Sequence, residues 1–366
     1  MWVRGEEERG KAVMTVANAD RAEGSISTAS ESAVTVRVVY RDSAGQIHLD
    51  WPADRIREAV DDAGGVLWVN ILDPEASQSG VAEGILRDVF KFHPLAVEDA
   101  LKETQIPKVD DWGDYLYIVF QSIKFDPGSE HIGLPELDIF LGKNYLVTYQ
   151  NEPLAFLDQD RRNIERDPVN RLMRGADHLL YHILDMAVAE YFPAIEALDD
   201  AIDLVQEEVF KNPSPRTLQA IFRVKRSTLR MHRTLSPQRE VLNRLARDSY
   251  DPISQDHRVY FRDVYDHTVR VHDLTESLRE LISGALDTYL SAISNRTNDI
   301  MKRLTLVTVM FLPMTFLTGF FGMNFFGETL AFESWLPKAA LFIGTCLVMV
   351  GSAAAQGYWA WKRGWF

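Results

Sequence analysis

The sequence predicts an α+β protein with an N-terminal α/β domain, a long helical stalk and two C-terminal transmembrane helices. Three observations predict it. Short β-like runs alternate with helical stretches between residues 34 and 167. A helical period then continues with no proline between Pro252 and Pro313. Two runs without a charged side chain, Leu304–Gly327 and Ala339–Trp361, close the chain.

The N-terminal pattern comes first. Ala33–Tyr40, Val66–Ile71, Tyr115–Ile123, Leu137–Leu141 and Tyr145–Tyr149 are rich in Val, Ile, Leu and aromatics and are bounded by Gly, Asp or Pro, which predicts strands. Ala76–Val89 and Leu154–Arg166 read as helices. Ahead of them, residues 1–33 carry charges and serines but no apolar stretch of the kind a secretory signal needs, and they read as a disordered leader in which Met14 is a second candidate start. The domain contains no Gly-rich phosphate loop, no Gly-x-Ser-x-Gly and no His-Glu-x-x-His, so neither an enzyme nor a bound cofactor is predicted. Cys346 is the single cysteine, which excludes a disulfide framework within the chain and a cysteine-based zinc site. A net charge of -14 argues against a nucleic-acid partner, which would require a basic face.

From residue 168 to 303 the pattern is helical. Leu180, Ile183, Leu184, Ala187, Tyr191, Ile195, Leu198, Ile202 and Val205 recur at steps of three and four, which predicts one helix ending at Asn212-Pro213. Ser214 and Pro215 cap the next. The first carries Glu190, Glu196, Asp199, Asp200, Asp203, Glu207 and Glu208; the second carries Arg216, Arg223, Lys225, Arg226, Arg230 and Arg233. Two readings stay open: an antiparallel hairpin with complementary solvated faces, or an acidic helix that concentrates cations. The third helix runs through Val264, Thr268, Val271, Leu274, Leu278, Leu281, Ala285, Leu286, Tyr289 and Ile293 straight into the first apolar run. Some 60 residues at 1.5 Å each make a rod of roughly 90 Å, too long for one small domain to bury.

Each apolar run exceeds the roughly 20 residues that span a bilayer as a helix. Lys302 and Arg303 precede the first span, residues 304–327, and Lys362 and Arg363 follow the second, residues 339–361. Positive charge on the inner flanks places both termini in the cytoplasm and the connector 328–338 outside, in a plasma or inner membrane. The tail 362–366 is basic. Along the first span, Met301, Thr305, Thr308, Leu312, Thr315, Gly319 and Gly322 fall on one helix face. Two explanations compete: small residues that let helices approach closely, or the lining of a narrow uncharged pore. Two spans cannot enclose a pore, so a pore would require a ring of copies embedded in lipid.

Gly322-Met323-Asn324, followed by Phe325 at the outer end of the first of two C-terminal spans, resembles the signature of the CorA divalent-cation transporters. The likeness extends through Tyr260-Phe261-Arg262-Asp263-Val264-Tyr265-Asp266-His267, Tyr289-Leu290-Ser291, Ser294-Asn295-Arg296-Thr297-Asn298, Phe311-Leu312-Pro313-Met314-Thr315-Phe316 and His93-Pro94-Leu95-Ala96-Val97-Glu98-Asp99. It covers roughly residues 35–366. The resemblance implies a homopentameric channel for Mg²⁺, and also Co²⁺ and Ni²⁺, with Gly322, Met323 and Asn324 as the selectivity filter. It implies that Thr315, Leu312, Thr308, Leu304, Met301 and Asn298 line the path inward, with Leu304 and Met301 as a hydrophobic constriction. Cytosolic Mg²⁺ would then hold the closed state at Glu98, Asp99 and Asp263, joined by Asp185. Glu328 and Glu333 in the outer loop would concentrate cations.

This sequence departs from the family pattern at Phe321, where many members have Tyr, at Leu312, where some have Met, and at Gly327-Glu328-Thr329-Leu330, which lacks Met-Pro-Glu. These departures bear on ion preference. A zinc transporter of the ZntB branch is the rival transporter reading. Zinc favours nitrogen and sulfur ligands, and no histidine lies between Leu304 and Phe366, although His178, His182 and Asp185 at helical spacing offer a cytosolic set. A membrane-anchored scaffold is the rival from another class.

Overall fold

The computed structural model describes residues 34–74, 80–103, 106–126, 131–323 and 335–363. Among the described residues nine strands form in chain order: β1 (Thr35–Arg41), β2 (Ile47–His48), β3 (Val66–Leu72), β4 (Lys108–Asp111), β5 (Leu116–Gln121), β6 (Lys124–Asp126), β7 (His131–Gly133), β8 (Glu136–Leu141) and β9 (Tyr145–Gln150). Seven make one sheet in the order β2-β1-β3-β9-β8-β5-β4, while β6 and β7 pair separately. Only the β3–β9 pairing in the large sheet is parallel, with Val69 opposite Val147. β5 and β8 are buried along their whole length, as strands covered on both faces should be, although β8 carries Glu136 and Asp138. The edge strand β4 is short and carries Lys108, Asp110 and Asp111, charges that discourage pairing with another sheet.

Helices cover both faces. On one, α1 (Ile56–Asp61), α2 (Val81–Gly84, continued by a π-helical turn to Val89) and α3 (Pro94–Lys102) bring Ile56, Ala82, Leu86 and Val97 onto Val69, Tyr117, Phe140 and Tyr149. The sequence reading did not assign α3. Its start is set by Pro94 in the first turn and by His93, whose Nδ1 accepts from the Leu95 N–H at 3.2 Å. On the other face lie α4 (Ala155–Arg166), α5 (Pro168–Leu172) and α6 (Ala176–Ala189), with α6 packed on β3, β8 and β9. Trp68 is fully covered there and donates Nε1–H to Thr148 Oγ1 at 3.1 Å.

The helix expected to run from Leu180 past Val205 is two helices, α6 and α7 (Tyr191–Lys211), divided at Glu190. The break has local causes. The buried Tyr191 hydroxyl donates to the Gln121 carbonyl at 2.8 Å, and Ser122 Oγ donates to Glu190 at 3.4 Å, so the end of β5 holds the chain at the junction. α6 is therefore a layer on the sheet, and the expected boundary of the N-terminal domain at residue 167 falls short of it. α8 (Pro215–Arg247) follows, its first turn capped by Ser214 Oγ accepting from the Thr217 N–H at 3.2 Å. α9 (Arg258–Gly322) contains 65 residues, and α10 is Trp335–Lys362.

Buried positions recur in strict steps of three and four. On α9 they are Phe261, Val264, Thr268, Val271, Thr275, Leu278, Ile282, Ala285 and Tyr289, whereas the expected Leu274 and Leu281 stay exposed. α8 buries Ile221, Val224, Thr228, Met231, Leu235 and Leu242 on the same rhythm, and α7 buries Ile195, Leu198, Ile202, Val205 and Val209. This is the packing period of supercoiled helices. Buried threonines are tolerated on it because Thr228 and Thr268 hydroxyls donate to the carbonyls one turn back, at 3.0 and 2.9 Å. The acidic residues of α7 from Glu196 to Glu208 point to solvent, and Glu190 is half-buried at the break. The chain clusters into two compact units, one holding the sheet with Ile132–Ile195 and Arg230–Asp273, the other holding Glu196–Leu229 and Leu274–Phe366.

One buried acid makes a stability prediction. Asp138, 2% exposed, accepts from the Tyr117 hydroxyl at 2.6 Å; burial, then the neighbouring Glu136, hold its carboxyl well above the carboxylate range. A raised folded-state value means that the charged form opposes folding increasingly as pH rises above the unfolded value of about 3.9. Asp138→Asn should therefore raise Tm by a few degrees at pH 8, about 1–2 kcal/mol, with the gain shrinking as pH falls toward 4. Thermal unfolding across that range checks it, and a gain that grows with acidity would refute the assignment.

Candidate functional site

The outer part of α9 is the first candidate. An 18-residue window in this helix is apolar enough to cross a membrane, with only 6% of it buried, the one such helix found among the described residues. The covered positions form a narrow strip: Leu306 is buried and Met310, Pro313, Met314 and Leu317 are half-buried. Met301, Thr305, Thr308, Leu312, Thr315 and Gly319 are all exposed. At about 100° per residue the centre of this stripe lies roughly 150° around the helix from the covered strip. The stripe is thus not the surface by which α9 packs in its own chain.

The chemistry of the stripe follows from its backbone. Thr308 donates its hydroxyl proton to the Leu304 carbonyl at 2.9 Å, and Thr315 donates to Phe311 at 3.0 Å. With the proton committed to the helix, each oxygen presents lone pairs outward, toward anything that wants an acceptor. Met301, Leu304 and Leu312, between 55% and 65% exposed, place apolar side chains between them. At the other end, an open groove of about 530 Å³ is lined by Asn295, Asn298, Asp299, Met301, Lys302 and Thr305. Pro313 has no N–H to give the Val309 carbonyl, so the ladder has a gap inside the apolar stretch. A Cβ placed on Gly319 or Gly322 would meet nothing within 4 Å, so neither glycine is required by packing within the chain. Met323 closes the helix with its N–H toward Phe320 O at 3.4 Å. Asn324, Glu328 and Glu333 lie outside the described residues.

The second candidate is in the unit that holds the sheet. Asp185 on α6 and Asp263 and His267 on α9 bring one ligand atom each to within 4.8 Å of one another. His267 Nδ1 is 3.1 Å from Asp185 Oδ1, and its Nε2 is 4.0 Å from Asp263 Oδ1. Two carboxylates and an imidazole, all solvent-accessible, form a donor set for a divalent cation. The sequence reading named both aspartates and missed His267 as a ligand. The signal was the four-residue step from Asp263, which puts the two side chains on one helix face. Glu98 and Asp99 are not part of this set within one chain. On α3 they pair with Lys102 at 2.5 Å and Lys108 at 2.6 Å. Partial burial of Lys108 works against its charge, but hydrogen bonds to Asp110 and Asp99 prevail and hold its ammonium above the usual range. His178 and His182 do not join Asp185 either. Their rings pack on each other at 4.6 Å and lie near Arg171 and Arg174, whose positive charge disfavours a cation there.

Known proteins match this chain along most of its length. The family model described as CorA-like Mg²⁺ transporter protein matches residues 64–362. The cobalt/magnesium transport protein CorA of Thermotoga maritima is 36% identical over 258 residues, covering 70% of this chain and 73% of that protein. The zinc transport protein ZntB of Yersinia pseudotuberculosis is 26% identical over 280 residues, covering 74% of this chain and 81% of that protein. The complete structure of the CorA magnesium transporter from Methanocaldococcus jannaschii superposes with a TM-score of 0.73 at 22% identity, covering 91% of this chain and 99% of that one. The match to the family model along most of the chain, with the shared soluble domain and long helix, makes this protein a member of the CorA family of divalent-cation transporters.

Proposed function

We propose that the protein is a Mg²⁺ channel that also passes Co²⁺ and Ni²⁺, built from a ring of five copies with α9 innermost and α10 facing lipid. The observation that carries this reading is the stripe from Met301 to Gly322 on the side of α9 opposite its covered strip. A surface of acceptor oxygens and apolar rings, left open by its own chain, is what a pore wall needs once copies surround an axis. Both termini then lie in the cytoplasm, and residues 304–327 and 339–361 cross the plasma or inner membrane.

The ion chemistry follows from the oxygen donors. Mg²⁺ dehydrates reluctantly and keeps an octahedral water shell. A ring of Asn324 amide oxygens accepts hydrogen bonds from that shell without stripping it, and it carries no fixed charge to trap the ion. Gly322 lets backbones approach, and Glu328 and Glu333 raise the local cation concentration outside. Further in, Thr315 and Thr308 continue the acceptor path, Leu312, Leu304 and Met301 narrow it, and Asn298 receives the ion at the cytosolic end. A constriction of Leu304 and Met301 closes by dewetting.

Gating belongs to the carboxylates. Asp185 and Asp263 repel a neighbouring copy's Glu98 and Asp99 unless a cation, which His267 can also ligate, lies between them, so a bound cation holds the closed ring and its loss loosens it. A zinc-transporting reading retains one favouring observation, the His267 imidazole, because nitrogen suits Zn²⁺, Co²⁺ and Ni²⁺ better than Mg²⁺.

Purified protein in liposomes should take up Mg²⁺, and Asn324→Ala should reduce that flux by about tenfold or more. Undiminished flux would reject the filter. Competition among Mg²⁺, Co²⁺, Ni²⁺ and Zn²⁺, with and without a proton gradient, separates the two transporter readings. Neutral replacement of Asp185 and Asp263 should weaken closure by internal Mg²⁺, seen as flux that persists at high internal concentration; wild-type inhibition would remove them as sensors. His267→Ala should lower thermal stabilisation by Co²⁺ more than that by Mg²⁺, whereas equal loss would show that the imidazole is not a ligand.

A further inference from the structure

A second cluster of titratable groups lies at the joint between α6 and the start of α9, and the transport reading leaves it unused. Asp177, 6% exposed at the N-terminus of α6, accepts from the Ser254 N–H and from His257 Nδ1, both at 2.9 Å. His178, 3% exposed, packs its ring against His182 at 4.6 Å, Tyr260 at 5.1 Å, His257 at 5.3 Å and Tyr181 at 5.7 Å. Arg174 spans the joint: its Nη1 reaches His178 Nε2 at 3.4 Å and donates to the Tyr260 hydroxyl at 2.9 Å. Arg171, paired with the buried Asp160 at 2.9 Å, adds positive charge on the α5 side.

The surroundings of His178 and His182 favour neutral imidazoles, although the nearby Asp177 carboxylate works the other way on His178. An arginine N–H can donate to His178 Nε2 only while that nitrogen holds a lone pair. A proton there sets donor against donor, expels Arg174 and removes its tie to Tyr260. The other nitrogen, Nδ1, then carries the neutral ring's proton and is buried without a hydrogen-bond partner, so nothing on that side stabilises a charged ring. Two guanidinium groups and a second imidazole within the box make any added charge more costly.

We propose that this box is a proton-operated latch, closed when His178 and His182 are neutral and opened when they take up protons. The electrostatics agree with the geometry. Burial first, then His257 and Arg174, lower His178 to about 4; burial, then Arg171 and His178, lower His182 to about 3. Both lie below the roughly 6.5 of a free imidazole. The closed joint therefore keeps its full stability above about pH 6.5 and loses it as pH falls from there toward the lowered values. Each histidine that is neutral when closed and charged when open favours opening by up to about tenfold per pH unit, and the two together by up to about a hundredfold. The relevant event is opening of the joint at mildly acidic pH, well above the values at which the closed form itself would titrate.

Asp185 follows His182 on α6 by one turn, and Asp263 follows Tyr260 on α9 by the same step. Opening the latch would separate the two helices that present the cation cluster, so protons and the divalent cation should oppose one another. That coupling rests on the cation-gating reading; the latch does not.

Hydrogen exchange on the full-length protein tests it. Amides in residues 176–189 and 253–263 should lose protection by about tenfold or more between pH 6.5 and 5.5, after correction for the intrinsic rate, while β5 and β8 keep theirs. His178→Gln, which still accepts from Arg174 but takes no proton, should remove about a tenfold share of that dependence. Asp185→Asn should leave it intact, which separates the latch from the cation cluster. Flat protection in the wild-type protein, or an equally steep dependence in His178→Gln, would overturn the latch. Saturating Co²⁺ should restore protection at pH 5.5 in the wild-type protein; no restoration would overturn the coupling alone.

Discussion

The alternating steps of three and four by which α7, α8 and α9 bury their side chains determine what else these helices can present. Once Phe261, Val264 and Thr268 are turned inward, Asp263 and His267 have no choice but to lie beside the seam, where α6 delivers Asp185. The same regularity governs α9 beyond Tyr289, where burial stops and one narrow strip through Leu306 is covered. Helical register, set by hydrophobic burial, thus decides which polar atoms are available for chemistry. No loop is needed to position them.

Much of this was legible from residue pattern. The five longest strands follow from runs of Val, Ile, Leu and aromatics, which in β5, β8 and β9 are buried almost throughout. The start of α8 followed from Asn212-Pro213-Ser214-Pro215, and α9 was readable from an unbroken period with no proline before Pro313. The stripe was readable for the same reason: spacing alone sets the face of a helix. Its meaning was not. The exposure of that face, opposite the covered strip, shows only that it is not a packing surface within the chain.

What stayed hidden depends on contacts between distant segments. The break at Glu190 is imposed by Gln121 and Ser122, some 70 residues away, and leaves no local mark in a sequence with good helical period. β4 is too short and too charged to look like a strand until β5 pairs with it. His267 looked like one more residue of a helical run, since its partner Asp185 is 82 positions earlier. His178 and His182 suggested a metal pair from spacing, but burial and the nearby Arg174 and Arg171 disfavour positive charge there. Charge context of this kind is three-dimensional.

The open space around Gly322 has a genetic consequence. Because a Cβ there meets nothing among the described residues, a Gly322→Ala copy should fold like any other, and any fault would appear only where copies converge. If the proposed ring of five forms, subunits drawn at random from an equal mixture would leave few assemblies without a faulty member. Such an allele would be dominant over the normal one, whereas a substitution in the sheet core, which removes the subunit before assembly, would be recessive.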